Sequence, residues 1–160
     1  MKKEQVFEFL QANCIKYQVY YHEACVSVED SKKIIHIEGA LGCKSLFVKD
    51  KKSDRFFMAV LPADKRADMR GLARYVDSEK FEFATAEKML EYLDVVRGNV
   101  TPFSFLYPNS VKVGLMIDEQ LTTVPKVRFH PCDNTASVVL ESKDFFKCMD
   151  ILGKRYIITQ

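Results

Sequence analysis

Three short stretches of this chain carry residue types that could do chemistry. In "GCKSLFVKD", residues 42–50, Lys44 stands just ahead of the apolar run Leu46-Phe47-Val48. Lysine rarely goes inside a protein unless it is paired. An ammonium group at the end of a buried strand, facing a cavity, can hold a phosphate or polarise a carbonyl as a point charge. The plainer reading lays the lysine stem along the sheet and lets its head reach water. In "RGNVTPFSF", residues 97–105, Gly98 suits a positive φ or a close backbone approach to a ligand. Pro102 fixes its own φ and pushes Thr101 towards an extended shape. Such a loop can present backbone N–H groups to an oxyanion, or simply join a helix capped by Gly98 to a strand.

The third stretch is "RFHPCDNTAS", residues 128–137. His130 precedes Pro131 at a strand end, where it is a proton carrier or an incidental loop residue. Asp133 and Asn134 make a turn. Cys132 follows His130 by two, and strand alternation would put both on one face as a Cys–His pair. No third group is visible to orient such a base, and no GxSxG elbow exists. His22 and His36 lack convincing partners, and three histidines at these distances do not form a metal set. No metal or cofactor is expected.

The elements that must position these residues follow from periodicity and punctuation. Residues 3–13 place Val6, Phe7, Leu10 and Ala12 on one helical face. "YQVYYHE" turns Tyr17, Val19 and Tyr21 inward as a strand. Ser27 and Asp30 open a helix carrying Val28 and Ile35. "SLFVKD" and "RFFMAVL" flank "KKSD" as a β-hairpin. Asp64 can cap the basic helix "KRADMRGLARYV", "KFEF" is a short strand, and Thr85 can cap "AEKMLEYLDVV". "SVKVGLMID", "KVRFHP" and "ASVVLE" read as strands, followed by a helix over 143–152 and an end strand "RYIIT". Hairpins interleaved with helices argue for an α/β domain with a mixed, largely antiparallel sheet and surrounding helices.

The totals bound the class. A chain of 160 residues with 48% hydrophobic and 29% charged residues suits one globular domain, 1–160. Its net charge of +2 is too small for DNA binding by the whole surface, so any nucleic-acid contact must be a local patch. The five cysteines are scattered, with no CxxC pair, and the N-terminus has no apolar signal core. No stretch approaches the ~18 apolar residues of a membrane span. These features read as a reduced, soluble, cytoplasmic protein without membrane contact.

Taken in register, "GCKSLFVKD", "GNVTPFSF" and "FHPCDNTASVVL" resemble the YbaK/ProX family of aminoacyl-tRNA deacylases. These are free-standing relatives of the editing domain inserted in bacterial prolyl-tRNA synthetases. The resemblance covers nearly the whole chain and is nearest to the ProX-type alanyl-editing branch. It implies a single domain that hydrolyses the ester of a mischarged tRNA, with alanine on proline tRNA as the expected substrate. The partners implied are the 3′ aminoacyl end of tRNA and prolyl-tRNA synthetase. It maps the family's catalytic lysine onto Lys44, its loop glycine onto Gly98 and its "HP" histidine onto His130. Val100, Thr101, Pro102 and Asn134, in the matching motifs, are then expected around the substrate. Ser45 departs from the pattern, because the family usually has asparagine there. Serine offers fewer hydrogen bonds.

An ester needs less activation than an amide, so positioning and oxyanion stabilisation suffice, with a water or the ribose hydroxyl assisting. Selectivity must invert the synthetase's problem. One missing methylene is worth only ~1–3 kcal/mol, so a synthetase pocket cannot exclude alanine. A smaller second pocket, walled by His130, Pro102 and Val100, would admit alanine and exclude proline. The competing readings are a cysteinyl-tRNA deacylase and a catalytically idle tRNA- or nucleotide-binding module.

Overall fold

The computed structural model describes residues 1–25, 37 and 39–160. The helix expected from Ser27 and Asp30, with Val28, Ile35 and His36, lies outside the described residues. Helix α1 spans Lys3–Ala12 and buries Val6 and Leu10, one turn apart, while Ala12 faces solvent. Strand β1 (Tyr17–Tyr21) follows. Its Tyr21 is exposed rather than inward: it is the last residue of β1, which among the described residues pairs with β7 alone.

Strands β2 (Ala40–Asp50) and β3 (Phe56–Pro62) form the expected hairpin. Asp50 closes it: its carboxylate accepts from Lys52 N, Ser53 Oγ, Ser78 Oγ and Arg55 Nη2. Helix α2 (Met69–Arg74) is capped by Asp68, whose Oδ1 accepts from Gly71 N at 2.9 Å. The sequence expectation placed the cap at Asp64, one turn too early. Strand β4 (Phe81–Phe83) leads into helix α3 (Ala86–Leu93). Thr85 caps α3 by accepting from Lys88 N, Met89 and Leu93 form its buried face, and Asp94 in the left-handed region (φ 53°) stops it.

Residues Pro102–Leu106 and Pro108–Lys112 are 3₁₀ turns, each begun by a proline. They consume the first part of the strand expected over 110–118, leaving β5 as Gly114–Asp118. Strands β6 (Lys126–Phe129) and β7 (Ala136–Glu141), helix α4 (Ser142–Ile151) and strand β8 (Tyr156–Thr159) complete the chain.

The eight strands form one sheet in the order β1-β7-β6-β2-β3-β5-β8, with β4 added to β2. Four of the pairings are antiparallel and three, β2–β6, β3–β5 and β5–β8, are parallel. The sheet is therefore mixed, as expected, with the antiparallel share the larger. Alternation divides the core between its two faces. Phe47, Met58, Leu115 and Ile117 join the large cluster with Phe103, Phe129 and Phe145. Val48, Ala59 and Met116 join a smaller one under Leu72 and Ala73 of α2.

Candidate active site at a fork in the sheet

Strand β2 is paired with β3 along one edge from Cys43 to Lys49. Its other edge changes partner. β6 takes Ala40–Gly42 and β4 takes Val48–Asp50. Between them, among the described residues, Cys43–Phe47 have no strand alongside on that edge. Ala63 N donates to Gly42 O and Asp50 N to Arg55 O, so the even-numbered residues bond towards β3. In an antiparallel pair the odd-numbered residues then turn their backbone groups the other way. The Phe47 carbonyl, on that side, accepts from Ala84 N at 3.0 Å. The N–H and C=O of Ser45 open onto the gap.

A cavity of about 510 Å³ lies at this fork. β2 supplies Lys44, Ser45, Leu46 and Phe47 to its lining; β4 and α3 supply Phe83, Ala84 and Met89. The loop after α3 supplies Arg97, Gly98, Val100 and Thr101, and the end of β6 supplies Phe129 and His130. All three chemistry-bearing stretches of the sequence thus meet at one concavity. A larger cavity of about 730 Å³, between Leu121, Phe146 and Tyr156, receives nothing from any of them.

Lys44 sits in the middle of β2 rather than at its mouth, because the strand begins at Ala40. It is half-buried there, paired with Leu61 of β3 on one edge and with no strand on the other among the described residues. Burial pulls its pKa below the ordinary lysine value, and the charge of Asp64 opposes that shift. Ser45 points to the face of β2 opposite Lys44, the face of Phe47, and both residues line the cavity. Gly98 adopts φ +91°, which favours glycine. It does not cap α3, since Asp94 already does so. Thr101 is extended at φ −154°, ψ 154°, as Pro102 requires. Its hydroxyl is 1% exposed as a residue, lines the cavity and has no hydrogen-bond partner among the described residues.

His130 Nδ1 lies 3.0 Å from the carbonyl of Ala136. A carbonyl only accepts, so Nδ1 carries the proton and Nε2 keeps its lone pair. Burial, with repulsion from His22 and Arg128, lowers the pKa of His130 below 6.5, so the ring is neutral at pH 7. Two residues expected at the substrate are placed elsewhere. Pro102 is buried behind the cavity wall and starts a 3₁₀ turn. The Asn134 side chain is spent on the backbone: its Nδ2 donates to Cys25 O, and its own N–H donates to Asn99 Oδ1. The Cys132–His130 pair does not form. β6 ends at Phe129, so alternation no longer holds, and Cys132 turns at φ +62° into the core beside Ser104. Burial raises its thiol to about 11, and that of Cys43 to about 12. Neither is a resting thiolate.

A family model described as the aminoacyl-tRNA editing domain matches residues 22–148. The chain belongs to the aminoacyl-tRNA editing domain family. It is 29% identical to the prolyl-tRNA editing protein ProX of Acetoanaerobium sticklandii, covering 96% of this chain and 94% of that one. It is 32% identical to the prolyl-tRNA synthetase associated domain-containing protein 1 of Bos taurus, covering 93% and 89%. It is 26% identical to the multifunctional Ser/Thr-tRNA deacylase ProXp-y of Escherichia coli K12, over 90% and 86%. Among solved structures, the hypothetical protein APE2540 superposes with a TM-score of 0.77 at 18% identity, covering 98% of both chains, which speaks to the fold.

For an editing domain, several lining residues were not singled out from the sequence. Arg97 adjoins Gly98 in a motif already read as chemical, so its neighbour was the available signal. Arg128, half-buried on β6 two residues before His130, is not among the lining residues but acts on His130 through its charge. A Cβ at Gly42 would sit 2.5 Å from Arg128 Nη2, the movable end of a long side chain. Met89, Cys25 and Phe83 carried no local signal, because their places depend on the fork.

Proposed function

We propose that this chain edits in trans, hydrolysing alanine from mischarged proline tRNA. Family membership supports the class of reaction, aminoacyl-tRNA deacylation, and makes tRNA the substrate. The observation that carries the reading is the fork cavity itself. It places a half-buried ammonium (Lys44), an unpartnered buried hydroxyl (Thr101) and a neutral imidazole (His130) around one apolar floor of Phe47, Met89 and Phe129. An aminoacyl ester has a matching set of groups: a carbonyl, an α-ammonium and a small side chain.

In this reading the Lys44 ammonium and the Ser45 N–H face the ester carbonyl as negative charge develops on its oxygen. Water adds to the carbonyl carbon, the bond to the ribose 3′ oxygen breaks, and that oxygen leaves with a proton. The backbone of the Gly98 loop positions the attacking water or the neighbouring ribose hydroxyl. Thr101 Oγ1 accepts from the α-ammonium, which would supply its missing partner. Val100 and His130 narrow the space left for the side chain, so alanine fits and proline does not. The proposed oxyanion contact uses the Ser45 backbone, so it does not depend on which side chain stands at that position. Prolyl-tRNA synthetase, which produces the error, is the proposed partner, and the cytoplasm the proposed setting.

The test is deacylation of a panel of aminoacyl-tRNAs by the purified protein. Alanyl-tRNA(Pro) should turn over fastest, with prolyl-tRNA spared. A preference for the cysteinyl ester would assign the cysteine branch. Tight tRNA binding with no turnover of any ester would make the chain an idle binding module.

A further inference from the structure

Strand β4 treats its two phenylalanines oppositely. Phe81 and Phe83 lie two apart and so share a face. Phe81 is fully buried, whereas Phe83 is 63% exposed. Phe83 pairs with Val48 of β2, and counting back by twos from Val48 reaches Leu46 and then Lys44. The phenyl ring and the lysine therefore stand on one face of the sheet. Four residues of strand put their positions along β2 about 13 Å apart, a separation that two inward-leaning long side chains shorten to the size of one nucleotide. Both line the fork cavity, and so does the exposed guanidinium-bearing Arg97. Phe83 makes no ring–ring contact among the described residues. Its neighbours Phe57 and Phe81 stack on each other instead.

We infer that Phe83 is a stacking platform for the terminal nucleobase of the tRNA, with Arg97 drawn to the adjoining phosphate. This rests on the proposed function, in which Lys44 meets the ester of the same nucleotide. A flat apolar ring beside two cations is the composition that single-stranded nucleic acid recognises. Stacking does not read base edges, and none needs reading here, because every tRNA ends in the same adenosine. The depth of the cavity sorts the substrate accordingly. The amino acid goes to the buried Thr101 and Phe47, and the base stays at the exposed lip.

The experiment uses a hydrolysis-resistant probe, 3′-alanylamino-3′-deoxyadenosine, and the same aminoacyl sugar lacking its base. Calorimetry on the wild-type protein should show the base-bearing probe binding about 5- to 100-fold more tightly, the range a single stacked base contributes. Phe83→Ala should erase that preference while leaving affinity for the base-less probe unchanged. Phe83→Trp should keep it. Phe83 is exposed, so its loss opens no cavity, and Leu90→Ala, a change at another exposed apolar residue, on α3, serves as the control. With alanyl-tRNA, Phe83→Ala should raise KM far more than it lowers kcat.

An intact base preference in Phe83→Ala overturns the inference. So does an equal loss of both probes. If that preference is intact but binding to prolyl-tRNA synthetase disappears, the ring is a protein contact instead. Failure of the proposed function looks different: no aminoacyl-tRNA is hydrolysed by the wild type, yet a base preference dependent on Phe83 persists and the platform stands.

Discussion

Along one edge β2 keeps a single antiparallel neighbour for seven residues; along the other it passes from β6 to β4 and is left open between them. The paired edge is built from residues close in sequence, joined by a short turn that Asp50 holds together. The open edge is made by strands and loops from residues 81 to 130 converging on it. The first gives β2 its rigidity. The second gives it a place where side chains and backbone groups meet a substrate instead of another strand. A strand shared in this way can hold a half-buried lysine without losing its register, because the β3 ladder continues beneath it.

The largest effect expected is at Lys44. Lys44→Ala should lower kcat for alanyl-tRNA by about 100- to 1,000-fold, the scale of losing one group aimed at the developing oxyanion. The thermal unfolding midpoint should stay near that of wild type, since the side chain is only half-buried. A folded Lys44→Ala protein with normal turnover would remove the lysine from the chemistry.

A pair of prolines separates the two edges directly. Leu46 N–H bonds towards β3, so Leu46→Pro should break the ladder and sharply lower the unfolding midpoint. Ser45 N–H faces the gap, so Ser45→Pro should stay folded but hydrolyse alanyl-tRNA about tenfold or more slowly, while Ser45→Ala remains active. Equal unfolding by both prolines would mean that the open edge is not open.

His130→Ala sharpens the account of the cavity wall. Making room should raise kcat/KM for prolyl-tRNA relative to alanyl-tRNA by roughly 10-fold, the scale of one or two methylenes. If both esters instead slow in parallel by about 100- to 10,000-fold, His130 acts as a base. The pH profile is the mildest test. Lys44 acts only when charged, so its contribution is present at low pH and is lost as pH rises through a pKa that burial holds below 10.5. Enzymic rate above the spontaneous hydrolysis of the ester should therefore hold level from neutrality downwards and fall on an alkaline limb below the ordinary lysine value. An alkaline limb at or above the ordinary lysine value would contradict the buried setting of Lys44.

The hairpin edge was legible in the sequence because its signals are local. "SLFVKD", "KKSD" and "RFFMAVL" name both strands and the turn, and Thr85 marks the start of α3. The family motifs likewise pointed to Lys44, Gly98, Thr101 and His130, which do meet at one cavity. The start of β2 was missed because "ALGC" is small and weakly patterned, and its only reason to extend is parallel pairing with the distant β6. The cap at Asp68 was missed because two aspartates, four residues apart, offer the same side chain, and packing of Leu72 and Ala73 chooses between them. Cys132 defeated alternation by leaving the strand first. Phe83 could not be read at all: "KFEF" gives two equivalent phenylalanines, and only the end of the sheet decides which one meets water.

Asn134, which bonds away from the substrate, ties three chain segments together. It accepts from Cys25 N through its carbonyl, donates to Cys25 O through its side chain, and donates its own N–H to Asn99 Oδ1. Next to it, His22 N donates to the carbonyl of Thr135. Segments so joined cannot fray one at a time. The amides of His22, Cys25 and Asn134 should exchange with solvent deuterium through one common opening event, with similar protection, although more than a hundred residues of chain separate the first from the last. Cys25 lines the cavity, so a substrate held against it would slow the exchange of all three amides together.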